Sequence, residues 1–172
     1  FWHKQTKVFW TIFRPYHIIG RGSLLGCLPL HNRDPLILDR LRRQEPLRLC
    51  NNGDISQSFI SVQDLAELML RAIGNKASIR EAYNACSLQE FTAHEYFQTI
   101  AEALGVSLNI DKVSLDFVWT KYKKWQLTTM PHKYDIQKST SDLEFTPGIT
   151  LREAITEAIN YYPIYECNID DI

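Results

Sequence analysis

Tyr16 and His17 place a phenol and an imidazole side by side, two groups that can hold or pass a proton near neutral pH. They follow the run Val8-Phe9-Trp10-Thr11-Ile12-Phe13, which is β-branched or aromatic almost throughout. That pattern reads as a strand over residues 8–13 covered on both faces, as in a parallel sheet. Ligands of open α/β sheets bind beyond the carboxyl ends of such strands, so position alone makes both residues site candidates. The alternative is that His17 only bonds backbone inside an ordered loop.

Other chemistry-bearing patterns carry less. Gly20-Arg21-Gly22-Ser23-Leu24-Leu25-Gly26 invites comparison with a dinucleotide fingerprint, but its third glycine comes one residue late. Cys27-Leu28-Pro29 breaks the helix that should receive a pyrophosphate, so the loop is not read as a cofactor cradle. Ser23 stands in G-S-x-x-G rather than the G-x-S-x-G of a nucleophile elbow, which argues against a hydrolase. His3, His17, His31, His94 and His132 form no pair at i, i+4, and no metal site is expected. Cys27, Cys50, Cys86 and Cys167 lie far apart, which fits a reduced, cytoplasmic setting better than a disulfide framework.

The chain has 172 residues and a net charge of -1, so charge does not suggest nucleic acid as a partner. The basic stretches 40–43 and 121–124 read as solvated helix faces. No run approaches the ~20 apolar residues of a membrane-spanning helix, and no membrane association is expected.

The elements that must hold these residues follow from periodicity and caps. Residues 16–34 read as a long connection, and Asp34-Pro35 as a helix start reaching Arg42 through Leu36, Leu38 and Leu41. Short strands are expected at 46–50 and 58–61, with a turn at Asn52-Gly53 between them. Ser61 to Asp64 approximates a capping box ahead of Leu65, Leu68, Met69 and Ile73, with Gly74-Asn75 as the stop. A strand at 81–86 precedes a second box, Thr92 to Glu95, whose helix turns Tyr96, Ile100, Ala103 and Leu104 inward and stops at Gly105. Residues 108–113 read as a strand, and 115–125 as helix or loop. Asp135 caps a short helix to Leu143, and a third box at Thr150 to Glu153 opens a helix ending near Tyr162. The class is α/β or α+β.

In order, Arg14-Pro15-Tyr16-His17-Ile18-Ile19-Gly20, Pro46-Leu47-Arg48-Leu49, Gly53, Ser58-Phe59-Ile60-Ser61-Val62-Gln63-Asp64-Leu65-Ala66, Glu81-Ala82-Tyr83-Asn84-Ala85 and Asp135 through Pro147 make a recognisable series. It resembles the C-terminal half of the extended short-chain dehydrogenase/reductases, the NAD-dependent epimerase/dehydratase family. The resemblance implies an α/β, incomplete Rossmann-like fold: the last strands of the large sheet plus the small substrate domain, with residues 1–172 as one unit. It further implies that NAD or NADP is bound mainly by an N-terminal half not contained here. That half would also supply the glycine-rich loop and catalytic Tyr-x-x-x-Lys, which this chain does not show in the right context.

On the same resemblance, no residue here is catalytic, and Pro15, Tyr16, His17, Leu49 and Gln57 would contact substrate or nicotinamide. His17 stands where many members have asparagine, and Gln57 where nucleotide-sugar enzymes often place an arginine. Glu144 replaces a usual glycine, and Asp64 is expected to act as a structural cap. The implied partners are a small-molecule substrate and the missing half, or another chain that completes the sheet. The implied function is the substrate-binding portion of an NAD(P)-dependent epimerase, dehydratase or reductase acting on a sugar nucleotide or related small molecule. The alternative is a non-catalytic binding or regulatory module of the same fold, the RNA-binding plastid relatives included.

Overall fold

Four pairs of short strands are joined by helices in the computed structural model, which describes residues 8–162. In chain order the elements are β1 (Thr11–Pro15), β2 (Ile18–Ile19), α1 (Ile37–Arg42), β3 (Leu47–Cys50), β4 (Ser56–Ser58), β5 (Ile60–Ser61), α2 (Val62–Ala72), β6 (Glu81–Ala85), β7 (Glu90–Thr92), α3 (Ala93–Leu104), β8 (Ile110–Val113), α4 (Leu115–Lys121), α5 (Gln137–Leu143) and α6 (Leu151–Asn160). The fold is α/β, as expected. Strands β1 and β6 pair in parallel with Phe13 opposite Tyr83, β2 and β5 are parallel, and so are β3 and β8, whereas β4 and β7 run antiparallel.

The strand expected at 8–13 sits further along the chain. Val8 and Phe9 are exposed, and the ladder starts at Thr11 and runs to Pro15, whose missing N–H is tolerated at a strand end. The single strand expected at 58–61 is two. Residues up to Ser58 bond to β7 and those from Ile60 to β2, with the ring of Phe59 fully buried between the two ladders.

Helix starts follow their capping chemistry. Thr92 and Glu95 form a reciprocal box at α3, and Thr150 and Glu153 form another at α6. At α2 the Ser61 hydroxyl accepts from the Asp64 N–H at 2.8 Å, but the Asp64 carboxylate does not return the bond. It accepts instead from the N–H groups of Gly148 and Ile149, at 3.3 and 3.0 Å, on the approach to α6. Asp64 is therefore a structural carboxylate, buried at 6% exposure, that ties two helix starts together. Asp34 accepts from the Leu36 N–H at 2.9 Å and closes a turn, while α1 itself opens only at Ile37.

The larger core lies among β3, α1, α3 and α6, around Leu41, Leu47, Leu49, Tyr96, Phe97, Ile100 and Ile155. On α3, Tyr96 and Ile100 are buried and Leu104 packs against the core as expected, Phe97 and Ala101 join them, and of the expected set Ala103 faces solvent. A smaller cluster joins Ile60, Leu68, Tyr83, Ala85 and Leu143. On α2, Leu68 is buried, but Met69 and Ile73 are 49% and 77% exposed. With Phe9, Phe13 and Ile79 they line an open apolar groove beside β1.

Candidate functional site

Tyr16 leaves the carboxyl end of β1 half-buried, and its hydroxyl donates to Gln57 Oε1 at 2.5 Å. Gln57, on β4, is 3% exposed, and its amide nitrogen donates to the Met130 carbonyl at 3.2 Å. Residues 130–132 are laced to β4 by two further bonds. Ser58 Oγ donates to the His132 carbonyl at 2.9 Å, and the His132 N–H donates to the Ser56 carbonyl at 3.0 Å. This strap carries two rings to Tyr16: His132 at 4.7 Å and Tyr134 at 5.6 Å between centroids. The His132 and Tyr134 planes lie within 6° of each other. Asn84, on β6, fixes the end of the strap by donating to the Asp135 carbonyl at 2.8 Å.

Burial pushes the Tyr16 phenol well above the ordinary tyrosine range, and Tyr134 adds to the shift. Tyr16 is a neutral hydroxyl that donates a hydrogen bond, not a base.

His17 turns the other way. Its Nε2 meets the Cys27 sulfur at 3.0 Å, between the rings of Phe91 and Tyr96, and its carbonyl accepts from the Ile60 N–H at 2.8 Å. Burial lowers the imidazole to about 4 and raises the thiol to about 11. A proton therefore stays on sulfur and the ring stays neutral. The pair is the opposite of an activated thiolate and imidazolium, so it offers no nucleophile.

Of the five residues expected to face a ligand, the fold brings Tyr16 and Gln57 into direct contact, with Pro15 and His17 flanking Tyr16 in the chain. Gln57 has its amide engaged within the protein. Leu49 lies in the main core at 1% exposure, beneath Gly53. A Cβ on Gly53 would stand 2.7 Å from the His94 nitrogen and 2.9 Å from Leu49 Cδ1, and its φ of +82° also favours glycine. His132 and Tyr134 escaped the sequence reading. Their signal is an i, i+2 spacing, which puts two rings on one face only if the segment is extended.

Tyr134 and Lys138 do stand at Tyr-x-x-x-Lys spacing, yet the structure separates their roles. Tyr134 precedes α5, so the helical step that would align the two is missing. The Lys138 ammonium pairs with Glu81 and lies over the Tyr83 ring. The glycine loop also fails as an anion cradle. Gly26 is held against Asp34, whose carbonyl a Cβ would meet at 2.3 Å, Gly20 packs on Val62 and Glu157, and no helix opens between Gly26 and Ile37. Ser23 donates to the Ile18 carbonyl at 3.3 Å. Among the described residues no cluster of three or more His, Cys, Asp or Glu could hold a metal, and no helix is long and apolar enough to cross a membrane. His3 and Cys167 lie outside the described residues.

The model of the NAD dependent epimerase/dehydratase family matches residues 1–86, half of the chain. The chain belongs to that family. No curated protein matches it in sequence. Among solved structures it is similar to an epimerase from the methanogen Methanothermobacter thermautotrophicus, with a TM-score of 0.73 and 17% identity over 94% of this chain and 45% of that one. It is similar to UDP-glucose 4-epimerase from Thermotoga maritima, crystallised with UDP-glucose, with a TM-score of 0.69 and 16% identity over 92% of this chain and 47% of the other. UDP-glucuronic acid 4-epimerase from Bacillus cereus, with UDP-glucuronic acid and NAD, gives a TM-score of 0.69 and 16% identity over 93% and 47%. The chain thus spans less than half the length of these structures, and at such identities the likeness establishes the fold.

Proposed function

We propose that this chain forms the substrate-binding portion of an NAD(P)-dependent epimerase, dehydratase or reductase acting on a sugar nucleotide or a related small molecule. The observation that carries the reading is the shelf at the carboxyl end of β1, where a neutral Tyr16 hydroxyl, fixed by Gln57, lies under the rings of His132 and Tyr134. A sugar face packs well on such rings, and a phenol with a fixed acceptor orients a hydroxyl beside it. In this reading Gln57 positions Tyr16 and does not grip phosphate, because both ends of its amide are engaged. His17 and Cys27 shape the wall of the site as a neutral pair.

The nicotinamide cofactor of the family does not fit the glycine loop described here, so no chemical step is assigned to it. It is held in this proposal by polypeptide that completes the β1–β6 sheet, for which the apolar groove along α2 and β1 is the seat. The surroundings are cytoplasmic in the same reading.

Calorimetry with UDP-glucose and UDP-glucuronic acid tests the proposal on the full chain. Millimolar or tighter binding, weakened at least tenfold by Tyr16→Ala, is expected; no binding, or turnover by the chain alone, overturns it. A non-catalytic binding module is the second reading, favoured by the Cys27–His17 pair, which is neutral and not activated for attack. Sugar-nucleotide binding without turnover, even with a cofactor-binding half added, selects it.

A further inference from the structure

The long connection between β2 and α1 is pinned on both sides of its last turn. Gly26 bridges to Asp34, whose N–H donates to the Gly26 carbonyl at 3.2 Å and whose carboxylate accepts from the Leu36 N–H at 2.9 Å and from Arg40 at 3.0 Å. Leu28, at 3% exposure, is seated in the larger core. Between these anchors the tip 29–33 buries one side chain, His31; Pro29 and Leu30 are half-buried, and Asn32 and Arg33 are exposed. Leu30 and Asn32 also wall an open cavity of about 730 Å³ beside Arg48 and Lys112.

The docked tip is strained, and its one buried group is unsatisfied. Leu30, Asn32 and Arg33 lie at φ of +73°, +51° and +60°, a region that asparagine tolerates better than leucine or arginine. The His31 ring is 5% exposed and packs on the uncharged Phe97 ring of α3 at 4.8 Å between centroids. Its Nε2 has no partner among the described residues. Around its recess the carboxylates of Asp34 and Glu45 are each held by Arg40 of α1 at 3.0 Å, and Asp111 of β8 lies 3.4 Å from Arg48 of β3. A proton added to the ring would therefore be buried beside a guanidinium, with the neighbouring carboxylates already engaged.

We infer that the tip 29–33 is an acid-released latch: the neutral His31 ring holds it docked on α3, and protonation of that ring frees the tip together with the cavity wall at Leu30 and Asn32. Burial, with the Arg40 charge adding to it, lowers the docked ring to about 4, against upward pulls from the Arg48 backbone and Asp34. A solvated histidine takes its proton near about 6.5, so the released tip binds a proton that the docked tip does not. Between that value and about 4, each unit of falling pH favours release about tenfold. Beside the ring, the tip is tied by the Lys124 ammonium, which donates to Asn32 Oδ1 at 3.2 Å, an exposed bond for which water competes. Release of the tip does not depend on what the chain binds.

Amide hydrogen exchange on the full chain at pH 7.5 and 5.5, corrected for the intrinsic rate, tests the latch. The His31 N–H, bonded to the Leu28 carbonyl at 3.2 Å, reports on the tip. It should open more often than the amides of α3 at either pH, and about tenfold more often at pH 5.5 than at pH 7.5. The Asp34 N–H, bonded to Gly26 as well as to His31, should keep its protection because the anchor stays. His31→Phe leaves a ring on Phe97 and removes the titrating nitrogens, so it should abolish the tenfold change, whereas His17→Asn should preserve it. Circular dichroism confirms that the variants fold, and the wild-type comparison of the tip with α3 stands without them. Opening of the His31 amide only as often as α3 overturns the latch. So does a pH effect that survives His31→Phe or disappears in His17→Asn.

Discussion

The hydroxyl of Tyr16 spends its proton on an acceptor that is itself buried, so the amide of Gln57 serves two partners at once. Gln57→Leu keeps the volume and removes both bonds, leaving the Met130 carbonyl without its donor and the phenol without its acceptor. We expect a loss of about 1–3 kcal/mol in urea unfolding, larger than for Gln57→Glu, which keeps an acceptor for Tyr16. A second residue-scale effect is the pH dependence of stability. His17 and His31 are both held near 4 by burial, with Arg40 adding to the shift at His31, against about 6.5 for an unfolded histidine. The folded chain therefore binds fewer protons than the unfolded one between those values. Stability from this source is complete above pH 6.5 and is lost as pH falls toward 4, by roughly 2–3 kcal/mol per histidine. Unfolding free energies measured from pH 7.5 to 4.5 should show that decline, and His17→Asn should remove about half of it. Position in the sequence marks Tyr16 and His17 as site candidates, because a buried strand announces its own carboxyl end. Their environment was not legible there, since the partners of His17 lie ten residues away at Cys27 and about eighty away at Phe91 and Tyr96.

Among the elements, α3 and α6 were readable because their signals are local: each box closes within three residues of its cap. The division between β4 and β5 was not, because it depends on which distant strand each half meets, β7 or β2. Asp64 shows the same contrast. Its place after Ser61 suggests a cap for α2, yet its carboxylate serves residues 148 and 149, more than eighty positions on. Asp64→Ala should therefore loosen the junction of α2 with α6 and cost about 1–3 kcal/mol, because two part-buried hydrogen bonds to backbone N–H groups lose their charged acceptor. Hydrogen exchange distinguishes this from a plain N-cap: the amides of Gly148 and Ile149 should lose protection, while the first turn of α2, still capped by Ser61, should keep it.

At the scale of the molecule, the β1–β6 pair is a two-stranded parallel sheet, and parallel strands are ordinarily covered on both faces. Here the burial of β1 is only partial, and Phe9, Met69 and Ile73 stand 74%, 49% and 77% exposed along its flank. Burying such side chains is worth about 1.5–3 kcal/mol each, so the groove carries a strong drive toward association that the described residues do not satisfy among themselves. The isolated chain should accordingly melt below ~55 °C, bind a hydrophobic dye, and associate in a concentration-dependent way by light scattering. Met69→Lys/Ile73→Lys separates the groove from the core. Both side chains are exposed, so the double variant should shift unfolding by no more than about 1 kcal/mol while abolishing dye binding and association. Equal loss of stability and association would mean that the face is part of this chain's own core. Loss of association alone would mark it as the surface on which the large sheet is completed.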